Sequence, residues 1–131
     1  MIHKEDALEE QVANYLQLRY PNVIFRFDSS ASAKKSMFQA KRFRKLHGKF
    51  SAKYPDLVLL EKRNTHGALF IELKALGSSP YRQDGSIRQS AHIMGQDAYH
   101  QLLRDRGYYA TFATGFDEAK SIIDNYLKGL L

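Results

Sequence analysis

Apolar and polar positions follow two periods along this chain. Over residues 5–19, Leu8, Val12, Tyr15, Leu16 and Arg19 recur at three- and four-residue spacing, which predicts a helix with one buried stripe. Pro21-Asn22 ends it, and the β-branched and aromatic run Val23-Ile24-Phe25-Arg26-Phe27 reads as a strand. Residues 56–61 and 68–74 are strands apolar on both faces, as expected for a sheet covered by helices on each side. Asn64-Thr65-His66-Gly67 between them is turn chemistry, so the pair reads as an antiparallel hairpin. Residues 77–90 are polar, turn-rich and read as a mobile loop. A helix is expected over 91–106, carrying Ile93, Met94, Ala98, Tyr99, Leu102 and Leu103 and capped by Gly107. A strand over 108–113 and a helix over 117–127, apolar at Ala119, Ile122, Ile123, Tyr126 and Leu127, complete the chain. This order predicts one α/β domain over residues 1–131: a mixed central sheet flanked by helices.

Charge adds a feature that periodicity does not show. The formal net charge is +6, but it is unevenly spread. Lys34, Lys35, Lys41, Arg42, Arg44, Lys45, Lys49 and Lys53 all fall within residues 29–55, which contain no acidic residue. Outside that segment, twelve basic residues are outnumbered by fourteen acidic ones. Phe38, Phe43, Leu46 and Phe50 are interleaved, predicting a basic helix near 36–46 that Gly48 stops, in an insertion between the first and second strands. Eight like charges without a counter-charge repel one another. The segment is therefore read as a DNA-contacting surface rather than a solvated face. Ser29, Ser30 and Ser32 can add phosphate hydrogen bonds, and Arg82 and Arg88 can extend the footprint.

Composition excludes several classes. There is no cysteine, hence no disulfide scaffold, thiolate catalysis or cysteine-bound zinc. No apolar run approaches the ~18 residues that span a bilayer, and the polar start Met1-Ile2-His3-Lys4-Glu5-Asp6 is no signal peptide. A cytoplasmic protein without a membrane partner is expected. His3, His47, His66, His92 and His100 lack the spacing of a zinc-protease site, and no phosphate-binding glycine loop is present.

The chemistry lies in three residues. Asp56 opens the second strand and Glu72 lies near the end of the third. Their midpoint is residue 64, inside the turn, so a hairpin folded there sets them face to face, roughly 4.5–5.5 Å apart. Lys74, two residues on, points to the same side. Two facing carboxylates suit a hard divalent cation such as Mg²⁺ or Mn²⁺, which can acidify water and stabilise phosphate charge. The plainer alternative pairs Glu72 with Lys74 and leaves Asp56 at a solvated strand end.

Pro55-Asp56, fifteen residues, then Glu72-Leu73-Lys74 resembles the signature of the PD-(D/E)XK nuclease superfamily. Gln96, His100, Leu103 and Gly107, together with the strand Leu69-Phe70-Ile71-Glu72-Leu73-Lys74, resemble its VRR-NUC branch, in particular the small stand-alone, phage-type members. The resemblance spans roughly residues 5–127. It implies a restriction-endonuclease-like core and a metal-dependent DNA endonuclease acting on branched DNA such as four-way junctions, as a homodimer. It implies that Asp56, Glu72 and the Leu73 carbonyl bind the metal, that Lys74 is the catalytic lysine, and that Gln96 faces the site. An acidic residue of the first helix would complete it: Glu9, which flanks the apolar stripe, rather than Glu10. One departure stands out, since the family often has glycine just before Pro-Asp where this chain has Lys53-Tyr54. His100, on the same helical side as Gln96, either reaches a phosphate or lies on the helix surface. The competing readings are a non-catalytic nucleic-acid-binding module on the same fold and a basic RNA- or ribosome-associated protein.

Overall fold

A computed structural model describes residues 4–28, 36–50 and 52–131. The elements run α1 (Lys4–Arg19), β1 (Phe25–Phe27), α2 (Met37–His47), a 3-10 turn (Gly48–Phe50), β2 (Leu57–Leu59), β3 (Leu69–Lys74), α3 (Ala91–Asp105), β4 (Tyr109–Thr114) and α4 (Gly115–Leu127). The sheet order is β1-β2-β3-β4. β1 and β2 pair antiparallel, as do β2 and β3, whereas β3 and β4 pair parallel through α3. The sheet is therefore mixed, as a hairpin followed by a β-α-β crossover dictates.

The hairpin register follows from its turn. Arg63 and His66 exchange backbone hydrogen bonds around Asn64-Thr65, and Asn64 takes a left-handed φ of 52°. Leu57 then faces Ile71, Val58 faces Phe70 and Leu59 faces Leu69. Each strand sends alternate side chains to opposite faces. Leu57, Leu59, Leu69, Ile71 and Leu73 pack with Leu8, Val12 and Leu16 of α1 and Ala119, Ile123 and Tyr126 of α4. Val58, Ala68 and Phe70 pack with Leu103 of α3 and Ala110 of β4. Both faces are thus covered, which explains why these strands lack polar alternation.

The observed elements refine the expected ones at their ends. β1 begins at Phe25 rather than Val23, although the Ile24 carbonyl still accepts from the Leu60 N–H. Residues 77–90 are organised by a Tyr81↔Ile87 bridge and by Arg88, whose Nε donates to the Ser79 carbonyl and pins its guanidinium to its own loop. α2 starts behind a capping box, with the Ser36 side chain accepting from the Gln39 N–H and the Gln39 side chain accepting from the Ser36 N–H. Gly48 ends it at a φ of 72°. None of its residues is buried. Lys34, Lys35, Ser29, Ser30 and Ser32 lie outside the described residues. Among the described residues, no helix is long and apolar enough to cross a membrane.

Candidate active site

Continuing the hairpin register one pair past Leu57↔Ile71 sets Asp56 opposite Glu72. The Asp28 N–H donates to the Asp56 carbonyl at 2.7 Å. The same row thus extends onto the end of β1, and Asp28, Asp56 and Glu72 stand side by side across three strands on the face that α3 covers. Continuing once more brings Pro55 opposite Leu73. Proline has no N–H to offer the Leu73 carbonyl, and the Leu73 N–H donates instead to Asp56 Oδ2 at 2.8 Å. The Pro-Asp dipeptide therefore orients one carboxylate and leaves a backbone oxygen unclaimed by the ladder beside it.

Gln96 reaches the row from α3. Its Nε2 donates to Glu72 Oε1 at 2.8 Å, with both side chains buried, while its Oε1 has no partner among the described residues. Lys74, 6% exposed, points to the same face as Glu72, and its Nζ lies 5.9 Å from the centre of the Phe112 ring. Among the described residues it has no carboxylate within ion-pair distance. The direct Glu72–Lys74 pair of the plainer reading is not formed.

Electrostatics mark the row as short of positive charge. Burial raises the Glu72 carboxyl well above its usual range; the facing Asp56 charge adds to this and Lys74 only partly offsets it. Burial also raises Asp56, against the hydrogen bond from Leu73. Glu9 of α1 is half-buried whereas Glu10 is exposed. The Glu9 carboxyl is pushed up to about 7 by burial, then by Asp56, Asp6, Glu5 and Asp28. Glu5, one helical turn before Glu9, acts on Asp56 as well. Glu9, the residue expected from the first helix, lies in this acidic cluster, and Glu5 and Asp28 join it without having been anticipated from the sequence. The four-residue spacing of Glu5 and Glu9 was a usable signal, whereas nothing local reveals the β1–β2 register that positions Asp28.

Among the described residues, no three His, Cys, Asp or Glu side chains form a ready-made cage for a metal ion. The donor set is nonetheless all oxygen: a buried carboxylate facing a half-buried one, with Lys74 only partly offsetting their repulsion, an unclaimed carbonyl and a half-buried third carboxyl. That set fits a hard cation such as Mg²⁺ or Mn²⁺, which keeps several waters and needs only one or two carboxylates.

Two expectations change. His100 neither lies on the helix surface nor reaches outward. It has no exposed area, packs against Phe112 at 4.6 Å between ring centres, and has both ring nitrogens unpartnered among the described residues. Burial, then Arg104 and Lys74, lower its pKa to about 4, so it is neutral. The turn of α3 that aims Gln96 at β3 aims His100, four residues on, at the sheet as well. Lys53 is not a free cation of the basic segment. Its Nζ lies 2.7 Å from His92 Nδ1, and its stem runs along Gly95 of α3. Its φ is 67°, a left-handed conformation that glycine adopts without strain. Lys41, Arg42, Arg44, Lys45 and Lys49 are exposed.

No protein-family model matches the chain, and no curated protein matches it. Among solved structures, a protein described as "VRR_NUC domain protein" matches with a TM-score of 0.69 and 23% identity, covering 98% of this chain and 92% of that one. Over nearly its whole length, this chain carries the α/β fold of a VRR_NUC domain protein.

Proposed function

We propose that the protein is a metal-dependent DNA endonuclease of the VRR-NUC type in the PD-(D/E)XK superfamily. The observation that carries this reading is the row at the end of the hairpin. Asp56 faces Glu72, Gln96 holds the Glu72 carboxylate, and Lys74 is buried on the same face without an ion-pair partner among the described residues. Asp56, Glu72, the Leu73 carbonyl and Glu9 would hold Mg²⁺ or Mn²⁺. When bound, the ion lowers the pKa of water and offsets charge on a phosphodiester. The protein's own contributions are then distinct. The Leu73 N–H and Gln96 keep the two carboxylates in fixed orientation. Lys74 supplies a cation to the attacking water or to the phosphate oxygens as negative charge develops there. The exposed bases of α2 and its flank hold the DNA backbone. The substrate is proposed to be branched DNA such as a four-way junction. Two symmetric nicks there require two sites, hence a homodimer.

The test is cleavage of a labelled four-way junction and of linear duplex with Mg²⁺ or Mn²⁺ by the wild type, Asp56→Ala and Lys74→Ala. Cutting by the wild type and loss in both variants is expected. A wild type that binds DNA yet cuts nothing with either metal is instead a nucleic-acid-binding module. An Asp56→Ala variant that cuts normally overturns the site.

A further inference from the structure

α2 is helical, capped and almost unburied, and its exposed side mixes two kinds of residue that a solvated helix keeps apart. Met37 is 81% exposed and Phe38 75%. At three- and four-residue spacing, these two share one side of α2 with Lys41, Arg42, Arg44 and Lys45. The half-buried residues Ala40 and Phe43, three apart, lie on the other side. The far end of the segment is anchored. Tyr99 of α3 donates to the Phe50 carbonyl at 3.0 Å, and the Arg106 guanidinium sits 5.5 Å from the centre of the Phe50 ring. An 11-residue helix is about 16 Å long. Met37 and Phe38 therefore stand at the end of α2 away from the anchor.

We infer that Met37 and Phe38 are a wedge that packs against unstacked bases, with Lys41, Arg42, Arg44 and Lys45 on the flanking phosphates. The partner is DNA with an open base step, such as a branch point. This rests on the nuclease reading and adds to it the feature of the substrate that the protein selects. Charge selects the occupant. Four cations with no acidic residue on the helix repel a second copy of the same face but attract a polyanion. A membrane-surface helix segregates its apolar and cationic residues to opposite sides, which α2 does not. Intact duplex satisfies the cations but offers nothing apolar to Phe38, because its bases are stacked. A branch point offers both, and apolar side chains inserted at an opened step are a recurrent way of holding distorted DNA.

The experiment uses the full chain carrying Asp56→Asn to suppress cutting. The probes are a four-way junction with 2-aminopurine at the branch and a linear duplex with the same base. Binding of the junction should raise 2-aminopurine fluorescence as the base unstacks, and binding of the duplex should not. Adding Phe38→Ala should abolish the rise and reduce the junction-to-duplex affinity ratio about tenfold, the scale of one lost base–aromatic contact. Phe38→Tyr should restore both. Because Phe38 is exposed, the thermal unfolding of Phe38→Ala should match its parent. The inference is overturned by junction binding without a fluorescence rise, by an affinity ratio that Phe38→Ala leaves unchanged, or by conversion of a sedimenting dimer to monomer on Phe38→Ala. Failure of the Asp56→Asn protein to bind either probe overturns the nuclease reading first, and the wedge with it.

Discussion

Asp56→Asn should make the metal-free protein more stable while removing its chemistry. Asparagine keeps an acceptor for the Leu73 N–H, now 2.8 Å from Asp56 Oδ2, so the backbone donor stays satisfied. It removes the half-buried carboxylate that faces buried Glu72 and can donate an N–H to Glu72. Once both carboxyls are ionised, two unit charges about 5 Å apart at an effective dielectric of about 20 repel by about 3 kcal/mol, a cost the protein meets at lower pH by keeping Glu72 protonated. Attraction of Asp56 to Lys74 is lost as well, so a net gain of about 1–2 kcal/mol remains. At this chain length that is a rise in Tm of roughly 3–10 °C. The pH dependence follows from the raised carboxyls. Folding lifts Glu72 above its ordinary 4.5, and Glu9 to about 7. Above pH 4.5 the native state therefore holds more protons than the unfolded chain, and wild-type stability falls as pH rises. The variant loses most of the Glu72 contribution, so its advantage should be near zero at pH 5, mostly developed at pH 8, and complete only above the value of about 9 to which Glu72 is raised. Thermal unfolding followed by circular dichroism at both pH values, with and without Mg²⁺, tests this. Mg²⁺ should raise the wild-type Tm and leave the variant nearly unmoved. A variant less stable than wild type at pH 8 would refute the reasoning, because Asp56 would then be held by favourable interactions that outweigh its repulsion from Glu72.

Gln96→Ala removes the amide that donates to Glu72 Oε1 and should lower the cleavage rate 10- to 100-fold with the fold intact, read by single-turnover kinetics beside a circular dichroism spectrum. His100→Phe should raise stability by about 1–2 kcal/mol, since it replaces two unpartnered buried nitrogens with a ring against Phe112. Burial lowers His100 from 6.5 to about 4, so the unfolded chain takes up the proton first and wild-type stability is lost between those values as pH falls. His100→Phe should lack that loss, which paired acid titrations of Tm would measure. Neutralising Lys41, Arg42, Arg44 and Lys45 should weaken DNA binding and flatten its salt dependence by roughly one log–log unit per lost phosphate contact, and an unchanged slope removes α2 from the interface.

The sequence by itself determined the hairpin and, with it, the facing carboxyl pair of the candidate site. Asn64-Thr65 is a turn local in the chain, and a turn sets the register of the strands it joins, so the midpoint of Asp56 and Glu72 was enough to set them face to face. Helical spacing likewise put Leu8, Val12, Tyr15, Leu16 and Arg19 on one stripe of α1, of which Leu8, Val12 and Leu16 are buried, Tyr15 is half-buried and Arg19, in the last turn, is exposed. Ser36, Gln39 and Gly48 carried the bounds of α2, because capping is decided within one turn of helix. Only the tertiary structure decided the rest. β1 and β2 are joined through residues 28–56, far too long a connection for local register, so Asp28 reached the row through sheet packing. Whether α3 laid Gln96 on Glu72, buried His100 or drew in Lys53 depended on how the helix sits over β3 and β4. That placement belongs to the core as a whole, since it is set by Leu103, Phe70 and Ala110 packing together.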